Sequence, residues 1–218
     1  MLTVEDGTAA VRLARRAIEH ALRPSSEPDP STPEGSGPLP PIFDELRGVF
    51  VTIKRYPSET LRGCIGYPLP VLPLRSAVTG AAVSAAVEDY RFRPVGAADV
   101  SRIVLEVSVL TVPVPVQFSS AEEATHAVVV GRDGLIVDGF GSSGLLLPQV
   151  APEEGWTSEQ LLDGTCEKAG LPSSAWKDPR VRVRRFEAEI FREVSPGGDV
   201  VRVEPETSSS AGRRPRKK

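Results

Sequence analysis

Two runs decide the fold: Val49-Phe50-Val51-Thr52-Ile53 and, beyond the turn residues Pro57-Ser58, Leu61-Arg62-Gly63-Cys64-Ile65-Gly66. The first run is β-branched and aromatic, a composition that favours strands, and the turn between the two runs predicts a hairpin. Side chains alternate along an extended strand, so Arg62 and Cys64 are expected on one face of the second run. We interpret residues 61–66 as a strand that also serves a site.

The pattern on either side of this hairpin is that of an α+β protein. Apolar residues at helical spacing predict a first helix that carries Val11, Ile18 and Leu22, with Thr3 near its start as a cap. The same spacing predicts a second helix over residues 71–88, where small side chains allow close packing on a sheet. A strand over residues 102–110 follows.

The second half of the chain repeats this order as a pattern. Residues 127–130 and 135–137 flank the turn signal Asp133-Gly134, which predicts another hairpin. Thr157 and Gln160 have capping-box spacing ahead of a helix that ends near Gly170, and residues 181–194 are expected to form one long strand. The fold prediction is an N-terminal helix followed by two β-hairpin, helix, strand units, which share one mostly antiparallel sheet packed with helices.

Composition predicts the domain organisation. Residues 1–200 are expected to form a single domain, because 40% hydrophobic residues are enough for a core. The proline-rich residues 24–41 cannot bury apolar surface and are interpreted as a flexible loop. Residues 201–218 are expected to be a disordered basic tail, since five of the last six residues are Lys or Arg. The rest of the chain is then acidic, which argues against binding to nucleic acid.

Cysteine usage and hydropathy favour a cytoplasmic protein. Cys64 and Cys166 are too few and too scattered for a disulfide framework or a zinc site. The start has no secretion-signal pattern, and the most apolar window, residues 77–87, is too short to span a membrane. Residues 139–144 lack the Lys-Ser/Thr ending of a phosphate loop, and His20 and His126 have no metal-ligand spacing. We expect no metal, no other cofactor and no membrane association.

Cys64 is the first candidate for chemistry, with Arg62 beside it as a second catalytic candidate. A guanidinium next to a thiol favours the thiolate, and Gly63 and Gly66 leave room for a ligand. The alternative is a small apolar residue buried in a strand, because free cysteine is among the most buried residue types. Cys166 lies on an apolar helical stripe and is expected in the core.

Two polar pairs are candidates for the same site. In the strand over residues 102–110, Glu106 and Ser108 alternate away from the apolar face and either line a pocket or face solvent. Asp89 and Arg91, just after the second helix, are either a ligand clamp or only a cap and a salt bridge.

Several motifs together resemble the AMMECR-one domain family, of the type known as protein A of the AmmeMemoRadiSam system. In chain order they are Phe50-Val51-Thr52-Ile53-Lys54, Leu61-Arg62-Gly63-Cys64-Ile65-Gly66, Asp89-Tyr90-Arg91-Phe92, Leu105-Glu106-Val107-Ser108-Val109-Leu110 and Gly144-Leu145-Leu146-Leu147-Pro148-Gln149-Val150-Ala151. The LRGCIG hexapeptide is the hallmark of that family, and the match extends from the first helix to Val194.

The resemblance implies a compact α+β fold and, in prokaryotes, a component that is associated with a Memo-like protein and a radical SAM protein. It assigns no reaction. The characteristic positions of the family fall here on Arg62, Gly63, Cys64, Asp89, Arg91, Glu106, Ser108 and Gln149.

Three hypotheses for the site stay open at this point. In the first, the chain is an enzyme or enzyme subunit in which Cys64 attacks or carries an electrophilic group. In the second, it is a non-catalytic module that binds a partner protein or a metabolite, such as an unknown small molecule or peptide, through a pocket around Cys64. In the third, the hexapeptide is only a tight strand that needs glycine for packing.

Overall fold

The computed structural model describes residues 1–23 and 38–203, which form two compact units. The first unit comprises the described part of Met1–Leu110 together with Glu189–Val203, and the second comprises Thr111–Ala188. Each unit has its own apolar core. Residues 24–37 of the predicted loop, and the predicted tail from residue 204, lie outside the described residues. The expectation of a single domain over residues 1–200 stays a prediction.

Helices and strands alternate along the chain. The α-helices are α1 (Val4–Ala21), α2 (Leu74–Val87), α3 (Ala121–Ala127), α4 (Val150–Glu154) and α5 (Ser158–Lys168). The strands are β1 (Val49–Arg55), β2 (Leu61–Tyr67), β3 (Ile103–Leu110), β4 (Val114–Pro115), β5 (Gly134–Gly139), β6 (Ser142–Leu146), β7 (Arg182–Phe186), β8 (Ala188–Glu193) and β9 (Val200–Val203). Short 3-10 helices lie at Pro41–Asp44, Ala97–Arg102 and Ser173–Lys177.

The first unit is built on a five-stranded sheet in the order β2-β1-β3-β8-β9. β1 and β2 form the predicted antiparallel hairpin, and β1 also pairs antiparallel with β3. β2 is therefore an edge strand, with one side of its backbone not paired to another strand. Helix α1 begins as predicted, because Thr3 and Asp6 form a capping box at its start.

A bulge interrupts the hairpin at Arg62. Cys64 lies opposite Thr52 and Gly63 opposite Ile53, but the next partner of β1, Lys54, lies opposite Leu61. Arg62 is thus the extra residue of β2, and the simple alternation of side chains ends there. This register governs where the two candidate catalytic side chains lie.

Helix α2 packs on the apolar face of the first sheet. Beneath it lie fully buried residues of β1, among them Val51 and Ile53. Gly63 faces the same helix, and a Cβ at this position would overlap the carbonyl oxygen of Ala85. The glycine of the hexapeptide is therefore required for the close approach of strand and helix.

A buried ion pair ties α1 to this sheet. The Arg15 guanidinium donates to Glu193 Oε1 at 2.6 Å and to the Ile103 carbonyl at 2.9 Å. Glu193 Oε2 also accepts a hydrogen bond from Leu105 N at 3.1 Å. The Glu193 side chain has no exposed surface, so these partners take the place of the water that the carboxylate loses on folding.

The second unit has a four-stranded sheet in the order β4-β7-β5-β6 with antiparallel pairs. Helix α5 carries the predicted capping box of Thr157 and Gln160, and Gly170 just beyond its end has a φ of +73°. Cys166 on α5 is fully buried in the core of this unit, which confirms its predicted place.

The α+β class is confirmed, but the prediction of one shared sheet is wrong, because the strands form two sheets. The single strand predicted over residues 181–194 is also wrong. It divides at Glu187 into β7 and β8, which belong to different sheets, and the Glu187 backbone bonds instead with Thr111. An uninterrupted alternation of apolar and polar residues does not reveal a change of sheet.

The predicted second hairpin is wrong in its position. Ala127 ends helix α3, which Ser120 caps by accepting from Glu123 N, and Asp133-Gly134 leads into β5 rather than joining two strands. The hairpin of this unit joins β5 to β6 through Phe140 and Gly141, whose φ angles of 53° and 79° suit a two-residue turn.

The boundaries of the predicted loop, residues 24–41, and of the predicted tail, residues 201–218, also differ from the prediction. Residues 201–203, predicted as part of the tail, pair with β8 as strand β9. Pro41, predicted as the last residue of the loop, begins a 3-10 helix in which Phe43 is buried.

Candidate functional site

Cys64 lies in the middle of the edge strand β2, on the face of the sheet opposite helix α2. Its partner across β1 is Thr52, and the Cys64 Sγ lies 3.3 Å from Thr52 Oγ1. Both residues are half-buried. The thiol is therefore neither a core residue like Cys166 nor freely exposed.

Asp89 and Arg91 hold the backbone of Cys64 from the open side of β2. Asp89 Oδ2 accepts a hydrogen bond from Cys64 N at 2.8 Å, and Arg91 Nη2 donates to the Cys64 carbonyl oxygen at 3.1 Å. The guanidinium of Arg91 also pairs bidentately with Asp89, at 2.9 and 2.7 Å. The two side chains satisfy the groups that a neighbouring strand would otherwise bind.

Charge strengthens this clamp. The Asp89 side chain is 2% exposed, whereas that of Arg91 is 46% exposed. The hydrogen bonds from Arg91 hold the pKa of Asp89 well below its usual range, although burial of the carboxyl opposes this shift. Asp89 in turn raises the pKa of Arg91. The clamp therefore carries both of its charges at neutral pH.

A row of polar side chains extends from Cys64 across the same face of the sheet. Thr52 lies opposite Cys64 on one side and Glu106 on the other, so the three residues follow one another across β2, β1 and β3. Lys54 Nζ donates to Glu106 Oε2 at 2.9 Å, and Ser108 lies two residues further along β3. Burial of alternate residues in β3 confirms that Glu106 and Ser108 face away from the apolar side.

Arg62 does not lie beside the thiol as the alternation predicts. As the bulged residue it is almost completely buried, and its Nη2 donates to the Pro94 carbonyl at 3.1 Å. Its nearest carboxylate is that of Asp99, at 3.8 Å. The arginine that reaches the Cys64 peptide group is Arg91, because the bulge removes Arg62 from the Cys64 face.

Gln149 belongs to the second unit, where it is exposed and precedes helix α4. Gly63 packs against α2 and serves the fold. The pattern of residue types did not indicate Thr52 and Lys54, although both follow from the alternation of β1 once its pairing with β3 is known.

Within residues 1–23 and 38–203, no three His, Cys, Asp or Glu side chains come together as a set of metal ligands. In the same part of the chain, no helix combines the length and the apolar character needed to cross a bilayer.

The fold and the site define an α+β protein with a half-buried thiol on a clamped edge strand. A protein-family model described as AMMECR1 matches residues 11–191. A protein of Thermofilum pendens is 48% identical over 208 residues, which cover 92% of this chain and 95% of that protein. A protein of Thermococcus gammatolerans is 50% identical over 201 residues, which cover 91% of this chain and 95% of that protein.

The crystal structure of uncharacterized protein PH0010 from Pyrococcus horikoshii is similar as well. It superposes with a TM-score of 0.75 at 47% sequence identity and covers 92% of this chain and 97% of that one. The chain belongs to the AMMECR1 family, and the predicted resemblance is confirmed.

Proposed function

We propose that Cys64 and the polar side chains beside it form a binding site for a small molecule or peptide. The observation that carries this proposal is the clamp on Cys64: Asp89 and Arg91 fix both polar groups of its backbone while its thiol stays half-buried. A ligand-contacting side chain on a rigid strand binds at a lower entropic cost than one on a mobile loop. Thr52, Glu106 and Ser108 supply hydrogen-bonding groups on the same face.

The same proposal includes partners: a Memo-like protein and a radical SAM protein. Its support is the family resemblance, which the hexapeptide and the Asp89-Tyr90-Arg91-Phe92 motif carry. Under this proposal the chain is a binding component of that system in the cytoplasm.

The arrangement of charges favours binding over turnover. The Glu106 carboxylate is engaged by Lys54, and two strand spacings, or roughly 10 Å, separate β3 from β2. A general base has to lie within hydrogen-bond reach of the proton that it removes. The group beside the Cys64 thiol is the neutral Thr52 hydroxyl.

A second candidate function, thiol chemistry, has one observation in its favour. The Arg91 guanidinium donates to the carbonyl oxygen of Cys64 and so places a positive charge close to the residue that carries the thiol. In that case the sulfur forms a bond to an electrophilic carbon of the ligand, the displaced electron pair leaves with a leaving group, and the thiol proton passes to solvent.

Alkylation of the native protein by iodoacetamide tests both functions, with Cys166 as an internal reference. Cys166 has no exposed surface, and burial raises the pKa of its thiol, so we expect it to react only after unfolding. Cys64 should react in the native state, at least roughly tenfold faster than Cys166. Equal and slow labelling of the two cysteines would leave Cys64 with a structural role only.

Capture of the two partners separates binding from covalent chemistry. Each partner is passed over immobilised wild-type protein and over Cys64→Ser, Glu106→Gln and Ser108→Ala, with the exposed Glu154→Gln as control. Binding is supported when Glu106→Gln and Ser108→Ala lose a partner that Cys64→Ser and Glu154→Gln retain. A partner lost only with Cys64→Ser, and resistant to denaturant on wild type, supports covalent chemistry. Equal capture by all variants would show that the face of the sheet that carries Cys64, Glu106 and Ser108 does not bind the partner.

A further inference from the structure

Arg62 is a buried cation with incomplete hydrogen bonding. Its side chain is 2% exposed, and its Nη2 donates to the Pro94 carbonyl. Its Nη1 finds no acceptor among residues 1–23 and 38–203 and has almost no surface of its own. A buried donor of a charged group that has lost its hydration without gaining an acceptor destabilises the fold, so an acceptor for Nη1 would stabilise it.

Two more arginines surround this buried cation. Arg93 Nη2 lies 3.4 Å from Asp99 Oδ1, and Arg62 Nη2 lies 3.8 Å from Asp99 Oδ2. Arg55, at the exposed end of β1, is the third cation, because its positive charge acts on both Arg62 and Asp99. Burial lowers the pKa of Arg62, and the charges of Arg55 and Arg93 lower it further against the opposing effect of Asp99. Within residues 1–23 and 38–203, three positive charges thus act on a single carboxylate.

We propose that Arg55, Arg62 and Arg93 form a binding site for a phosphate group, free or carried on a small organic molecule. The net charge of the cluster, two positive charges after Asp99 is counted, matches a phosphate that carries between one and two negative charges at neutral pH. A carboxylate would leave one of the positive charges uncompensated. Guanidinium groups also match the geometry of phosphate oxygens.

The side chains of the cluster differ in their exposure to solvent, and the exposed ones give the ligand a path to the buried one. The side chain of Arg93 is 73% exposed and that of Asp99 is 24% exposed, so they form the outer part of the cluster above Arg62. The ion pair of Arg93 and Asp99 is weak because it lies at the surface. When the two side chains move apart, the anion can interact with all three guanidinium groups. This site is distinct from the Cys64 site, because the bulge directs Arg62 to Pro94 and Asp99.

Thermal unfolding of the full chain tests the proposal with inorganic phosphate, phenyl phosphate and acetate, each titrated at constant ionic strength. We expect both phosphates to raise the Tm of the wild type, with acetate much weaker. Tighter binding of phenyl phosphate indicates an organic phosphate, and equal affinities indicate free phosphate. The proposal is overturned if phosphate raises the Tm no more than chloride does, or if acetate raises the Tm as much as phosphate.

Variants assign the effect to the cluster. The double variant Arg55→Gln, Arg93→Gln should lose most of the phosphate response, whereas Arg180→Gln should keep it. Arg180 is the matched control, because its side chain is 72% exposed and also pairs with an aspartate. Asp99→Asn, which removes the competing charge but keeps an acceptor for Gly96 N, should bind phosphate several-fold more tightly. An unchanged response in the double variant, or weaker binding by Asp99→Asn, contradicts the proposal.

Discussion

The carboxylate of Asp89 accepts a hydrogen bond from the backbone N–H of Cys64 at 2.8 Å, across the open side of an edge strand. Arg91 completes the contact by donating to the carbonyl oxygen of the same residue. The Asp-x-Arg motif thus takes the place of a missing strand at one residue, and that residue carries the thiol. Of the two alternatives at the level of sequence, the salt bridge is present, and the binding of a ligand by this pair stays a prediction.

This contact predicts a pH-dependent stability that Asp89→Asn removes. Because Arg91 lowers the pKa of Asp89, the carboxylate stabilises the fold fully above about pH 5 and loses this contribution as the pH falls below about 4. We expect Asp89→Asn to lower the free energy of unfolding by about 2 kcal/mol at pH 7. The difference from wild type should shrink on acidification, as urea titrations between pH 7 and pH 3 would measure.

The chain provides its own control for this prediction. Asp178 and Arg180 repeat the Asp-x-Arg motif with nearly the same hydrogen bonds, at 3.0 and 2.7 Å between the side chains. Arg180 lowers the pKa of Asp178 to about 2, but the side chains of this pair are more exposed, at 72% for Arg180 and 28% for Asp178, and they hold no strand. Asp178→Asn should therefore lower stability at pH 7 much less than Asp89→Asn does, with the same direction of pH dependence. Equal effects of the two substitutions would show that the hydrogen bonds to the edge of β2 add nothing to the free energy of unfolding.

Local signals in the sequence predict the elements around the site well. The β-branched run of β1, the alternation of β3 and the capping boxes of α1 and α5 depend on residues close in the chain. The bulge at Arg62 has no such signal, because the sequence of β2 is compatible with regular alternation. The error in the position of Arg62 follows directly from this missing bulge.

Gly63→Ala is predicted to disturb the packing of α2 on β2. The new methyl group would overlap the Ala85 carbonyl, so strand and helix have to separate, which costs about 1–3 kcal/mol. Gly96→Ala is the control, since the nearest atom to its Cβ is Asp99 Oδ2 at 3.9 Å. Denaturant unfolding of both variants measures the difference. A Gly63→Ala protein as stable as Gly96→Ala would contradict a packing role for the hexapeptide glycine.

The buried pair of Arg15 and Glu193 gives a third prediction. Glu193→Gln leaves the Arg15 guanidinium buried without its counter-charge, and we expect a loss of about 3–5 kcal/mol in unfolding free energy. Glu19→Gln should have little effect, because Glu19 is 44% exposed and 3.9 Å from the same arginine. The double variant Arg15→Met, Glu193→Leu should recover much of the loss, since it leaves no fully buried charge without a partner, and Arg12, which also lies 3.8 Å from Glu193, is 34% exposed. If the double variant is less stable than Glu193→Gln, the ion pair itself contributes to the free energy of unfolding, beyond the neutralisation of each charge by the other.

The division of residues 181–194 shows why the sheets were harder to predict than the strands. Both β7 and β8 are extended, as expected, but their partners lie far away in the chain. Which sheet each strand joins is decided by contacts such as that of Glu187 with Thr111. The polar row of Cys64, Thr52 and Glu106 was likewise out of reach, because it depends on the register of three strands.

The clamp also predicts how Arg91 affects the reactivity of Cys64. Arg91→Gln removes the positive charge near the thiol and one hydrogen bond to the Cys64 carbonyl, whereas Arg91→Lys keeps the charge and loses the bidentate geometry. If charge controls the thiolate, alkylation of Cys64 at fixed pH should be several-fold slower in Arg91→Gln and nearly unchanged in Arg91→Lys. If the clamp acts by holding the strand, both variants should label faster than wild type, because a loosened edge exposes the thiol.

Arg180→Gln, remote in sequence and in the other unit, corrects for a general change in stability. Identical rates in all four proteins would show that Arg91 affects neither the charge nor the access of Cys64.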